Sequence, residues 1–91
     1  MNLHLVTYDL RKPGRDYATL FAAIKALGKA IKPLQSTWIV ATNYTDAQIR
    51  DHLVKYMDPN DGLLVMGLKT EAAWQNLSLS NHEAKQFIES A

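Results

Sequence analysis

The sequence predicts an α+β domain of ferredoxin-like type. In this reading a βαββαβ chain folds into an antiparallel sheet with two helices on one face, and a short C-terminal helix follows. Three observations predict it. The segments Leu3–Asp9, Ser36–Thr42 and Leu63–Leu68 have the composition of strands, and the stretches between them repeat apolar residues at helical spacing. The 91 residues leave room for one such unit, assigned to residues 1–79, with a helical tail over 80–91.

The elements follow in order. Along Leu3–Asp9, Leu3, Leu5 and Thr7 alternate with His4, Val6 and Tyr8, the two-residue period of a strand. Pro13-Gly14 breaks the chain and Asp16 or a neighbour opens a helix. Tyr17, Leu20, Phe21, Ile24 and Leu27 form its apolar stripe, and Gly28 stops it. Lys29–Leu34 reads as a short strand, which Pro33 places at an edge or a bulge.

Ser36–Thr42 is rich in β-branched and aromatic residues. Thr45 and Gln48 fit a capping box, starting a helix with Ile49, Leu53, Tyr56 and Met57 on its buried stripe. Pro59-Asn60-Asp61-Gly62 is a turn into the strand Leu63–Leu68. Thr70–Leu79 carries no clear pattern. Ser80 and Glu83 form a second capping box, and Ala84, Phe87, Ile88 and Ala91 line one side of the tail helix.

Leu63-Leu64-Val65-Met66 and Trp38-Ile39-Val40-Ala41 are apolar on both faces of the pleat, whereas helices cover only one. The second face calls for a partner chain, the C-terminal tail or tolerated exposure. A homodimer is the expectation, because a domain this small has a thin core.

Composition excludes several chemistries. Without cysteine there are no disulfides, thiol nucleophiles or zinc–thiolate sites. No apolar run reaches the ~18–20 residues of a membrane span and no signal peptide is visible, so the expected address is the cytoplasm, with no membrane partner. The four glycines stand apart, leaving no phosphate loop, and no G-x-S-x-G elbow is present. His4, His52 and His82 do not cluster at metal-ligand spacing.

Charge is uneven along the chain. Residues 1–45 hold six basic and two acidic residues, and residues 46–91 hold four basic and seven acidic ones. A basic first half could steer nucleic acid to one face, or be ordinary surface charge. Tyr8 and Trp38 are either core residues or platforms for stacked bases, although the aromatic signature of an RNA-recognition strand is missing.

Asp9 is the candidate site residue. A carboxylate at a strand end can hold a hard divalent ion, and Arg11, Lys12 and Arg15 beside it could position phosphates. The structural alternative is that Asp9 bonds turn amides, caps the next helix or pairs with a neighbouring arginine. His4 lies five residues before it, roughly 16 Å along an extended strand, too far to assist within one chain.

Leu5-Val6-Thr7-Tyr8-Asp9-Leu10, a following helix and Gln35-Ser36-Thr37-Trp38-Ile39-Val40 together resemble the small CRISPR adaptation protein (Cas-two) superfamily, which includes the VapD-type toxins. The likeness is strongest to short stand-alone bacterial and phage proteins labelled SinR-like. It rests on Tyr-Asp-Leu-x-Lys-Pro-Gly-x-Asp-Tyr (Tyr8 to Tyr17), on Ser36-Thr37-Trp38 and on Glu71-Ala72-Ala73-Trp74. It covers roughly residues 3–75. Trp38 stands where many relatives have Phe, and the segment after Leu77 has no counterpart.

The resemblance implies a ferredoxin-like homodimer joined through its sheets. It also implies a metal site in which Asp9 of each subunit holds magnesium or manganese at the dimer axis. Two functions follow as expectations. The first is a dimeric, non-catalytic module that binds nucleic acid or protein. The alternative is a divalent-metal-dependent ribonuclease or deoxyribonuclease of toxin or defence type, with Asp9 as catalytic residue and metal ligand. The sequence leaves open whether the protein is an enzyme.

Overall fold

The computed structural model describes residues 1–69 and 71–89. The elements run β1 (Asn2–Asp9), α1 (Ala18–Ala26), β2 (Lys29–Leu34), β3 (Thr37–Thr42), α2 (Asp46–Leu53), β4 (Gly62–Leu68) and α3 (Asn81–Glu89), with a 3-10 turn over Val54–Tyr56. The four strands form one antiparallel sheet in the order β2-β3-β1-β4. This is the expected ferredoxin-like α+β architecture with its additional C-terminal helix.

Strand parity assigns the two faces. Val6 pairs with Trp38 and Val65, and these side chains share the face that also carries Tyr8 and Val40. Leu20, Ala23 and Ile24 of α1 and Ile49 and Leu53 of α2 pack against this face and form the main core. The opposite face carries Leu3, Ile39, Ala41 and Leu68, and is met by Trp74, Phe87 and Ile88. The C-terminal segment therefore fulfils part of the covering role that the two-faced apolar strands require.

Local chemistry accounts for the boundaries. α1 starts at Ala18, with the Asp16 carboxylate accepting from the Ala18 amide at 2.9 Å. Thr45 and Gln48 close a reciprocal capping box at α2, as expected. α2 ends at Leu53, so Tyr56 and Met57 lie beyond it, in the 3-10 turn and just after it. Pro33 accounts for the register irregularity between Ile31 and Leu34 of β2, because it cannot donate to the ladder. Ser80 caps α3 by accepting from the Glu83 amide at 3.1 Å. Ala91, expected on the stripe of that helix, lies outside the described residues.

The two sheet edges differ. β2 carries Lys29, Lys32 and Pro33, and its Pro33 carbonyl accepts from the Ser78 amide at 2.7 Å. Such features block further strand pairing. β4 has no charge and no proline from Gly62 to Leu68, and its Leu64 and Met66 remain 50% and 48% exposed.

Candidate functional site

Asp9 ends β1 opposite Gly62 of β4, and by parity it shares the sheet face of Leu5, Thr7, Leu64 and Met66. A shallow groove lined by Thr7, Asp9, Gly62 and Leu64 runs beside it. The Asp9 side chain is 70% exposed, and its Oδ2 accepts from Arg11 Nε at 3.0 Å. This is the arginine pairing named by the structural alternative. Gly62 makes room for it, since a Cβ there would stand 3.3 Å from Arg11 NH2.

The three nearby cations are engaged by the chain itself. Arg11 donates its backbone amide to Asp61 Oδ1 at 2.7 Å and its guanidinium to the Asn60 carbonyl at 3.1 Å. Lys12 Nζ lies 3.4 Å and Arg15 NH1 3.8 Å from Asp58 Oδ2. Arg15 also donates to the Tyr56 carbonyl and lies over the Tyr17 ring. The expected phosphate-positioning trio also links the loop after β1 to the turn before β4. Asp58 and Asp61, the acids that hold it, lie more than 40 residues along the chain from their partners, so no local pattern marks the pairing.

Asp61 is the centre of this link. Its carboxylate accepts from the Arg11 amide, the Tyr17 hydroxyl at 2.7 Å and the Asp58 amide at 2.8 Å. Desolvation by itself raises this carboxyl, but the three hydrogen bonds outweigh it and hold the group below its ordinary value. Burial, together with donation to Asp61, pushes the Tyr17 hydroxyl up.

One carboxylate bound to a guanidinium does not make a divalent-ion site, which needs about six oxygen ligands, several from protein or substrate. Among the described residues, no group of three or more His, Asp and Glu side chains converges to hold a metal. The residues of a single chain do not fit magnesium or manganese at Asp9.

The other candidates sort by burial. Trp38 is 5% exposed and donates its ring N–H to the Tyr8 hydroxyl at 3.0 Å, so both aromatics are core residues and not platforms for bases. Burial raises the Tyr8 hydroxyl above its ordinary value, more than the Trp38 hydrogen bond lowers it. His4 is buried and pairs through Nδ1 with Asp46 at the start of α2. His52 meets Tyr56 edge-on, and His82 is exposed on α3. Among the described residues no helix is long and apolar enough to cross a membrane.

No protein-family model matches this chain, and no solved structure gives a significant match. The fold assignment therefore rests on the strand order and helix placement themselves.

Proposed function

We propose that this protein is a homodimeric, non-catalytic binding module of Cas-two-like type, acting on nucleic acid or protein in the cytoplasm. One observation carries the reading. β4 is an uncharged, unprotected edge, and the half-exposed Leu64 and Met66 lie beside it on the sheet face that α3 leaves open. A second copy related by a two-fold axis presents the same strand and the same apolar pair, so the surface is self-complementary.

The same geometry keeps the endonuclease as the second reading. Asp9 shares this face with Leu64 and Met66, so a two-fold contact here can approach two Asp9 carboxylates to one another. The guanidinium already on Asp9 and the lack of further ligands rank that reading below the binding module.

Light scattering tests the assembly. The expected mass is twice 10.2 kDa, falling to that of one chain in Leu64→Lys/Met66→Lys. A single-chain mass for the unmodified protein rejects the dimer. Incubating labelled RNA and DNA with magnesium or manganese tests catalysis. No cleavage is expected, and cleavage that Asp9→Asn abolishes replaces the binding module with the nuclease.

A further inference from the structure

Lys25 of α1 and Lys32 of β2 lie together on the helix-bearing side of the sheet, beside Trp38. Residues 17–45 contain Lys25, Lys29 and Lys32 and no acidic residue at all. Lys25 Nζ lies 5.9 Å and Lys32 Nζ 5.8 Å from the centroid of the Trp38 ring, and Lys32 Nζ also lies 5.4 Å from that of Phe21. Ammonium groups from two different elements are thus attracted to the Trp38 ring, and that of Lys32 to Phe21 as well. Trp38 itself is 5% exposed within the core of the helix-bearing face.

Among the described residues no carboxylate pairs with either lysine. The ion pairs of the described residues use Arg11, Lys12, Arg15, Arg50 and His4, and none uses Lys25, Lys29 or Lys32. Ammonium groups without a counter-ion favour an anion near them. The contrast with Arg11, Lys12 and Arg15 is direct: that trio is richer in sequence, yet its charged groups are paired with Asp9 and Asp58.

We infer that Lys25 and Lys32 are where this protein contacts the phosphate backbone of a nucleic acid. The inference rests on the binding-module reading above and names its partner class. A protein partner fits this surface less well. Protein interfaces are anchored by large apolar or aromatic side chains, whereas α1 exposes Ala18, Thr19, Ala22 and Ala26 beside Lys25. Phosphate contacts need only cations and close approach.

The experiment measures binding of labelled single-stranded RNA, single-stranded DNA and duplex DNA across a salt series beginning at about 50 mM. Lys25→Glu/Lys32→Glu is compared with Lys55→Glu/Lys85→Glu, which makes the same change in net charge elsewhere. Thermal melts of both variants confirm folding. The expected result is at least about a tenfold loss for the first variant and a much smaller one for the second. The slope of log affinity against log salt should also fall by about 1.4 for single strands, the value for two phosphates. If the unmodified protein binds and both variants weaken equally, the lysine surface is overturned while the binding module stands. If the unmodified protein binds none of the three probes at about 100 µM, nucleic acid itself is rejected as the partner.

Discussion

The His4 imidazole of β1 reaches across to the Asp46 carboxylate at the first turn of α2, joining the sheet to the helix end through one charge-assisted contact. His4 is 5% exposed, and its other ring nitrogen, Nε2, has no hydrogen-bond partner among the described residues. Gly67 pairs with His4 across the strands, and a Cβ there would stand 3.7 Å from Asp46 Oδ2. Asp46 also sits at the positive end of the helix dipole, where a carboxylate is favoured.

Removing the carboxylate should therefore cost more than an exposed aspartate normally does. Asp46→Ala leaves two buried ring nitrogens unsatisfied, and we expect a loss of roughly 1–3 kcal/mol in urea denaturation. Asp46→Asn keeps an acceptor and should lose less. Equal losses in the two variants would mean that the contact carries no hydrogen-bond energy.

Gly28 lies where α1 turns into β2, and a Cβ on it would stand 2.2 Å from the Ala41 carbonyl oxygen. That obstacle is backbone in a central strand, so it cannot move aside without disturbing the ladder. Gly28→Ala is expected to destabilise by roughly 1–3 kcal/mol, as overpacking does. Gly67→Ala meets only an ordinary contact and should be mild by comparison. The order of their melting temperatures checks the prediction.

The link around Asp61 should show in the pH dependence. Its carboxyl is held below the ordinary 3.8, so its contribution is present above that pH and is lost as pH falls through the lowered value. The stability gap between the unmodified protein and Asp61→Asn should thus be widest near neutrality and close in acid. Tyr8 and Tyr17 are raised above 10.0, so what they contribute is present below that pH and is lost as pH rises through the raised values. Thermal melts across the pH range test both limbs, and a gap that stays constant into acid would contradict the first.

Ile88 is the anchor of α3, packed with Leu3 and Ala41 on the face away from α1 and α2. A nine-residue helix does not hold its shape alone, so this contact should stabilise both the helix and the sheet. Ile88→Ala is expected to cost about 2 kcal/mol. An unchanged melting temperature would make α3 an appendage of no consequence to the sheet.

How much of this was legible beforehand can be argued residue by residue. Period-two alternation in Leu3–Asp9, the Thr45–Gln48 capping box and Pro33 at its edge are local signals, and each element they mark is present. Local signals act through the backbone of their own segment, so reading them requires no partner. The pairing of charges is different. Arg11, Lys12 and Arg15 appear as a free basic cluster beside Asp9 until the chain returns Asp58, Asn60 and Asp61 to the same corner.

The sequence by itself determined the order of elements, the absence of thiol chemistry and the excess of apolar residues on two faces of the sheet. The tertiary structure decided which charges are paired within the molecule and which apolar residues stay open. Arg11, Lys12 and Arg15 are held within the molecule, Lys25 and Lys32 are left over Trp38, and α3 covers Ala41 while Leu64 and Met66 stay exposed. The physical reason is the range of the forces involved. Backbone propensity and periodicity act over a few neighbouring residues, whereas ion pairing and burial depend on distance in space, which only the folded chain sets.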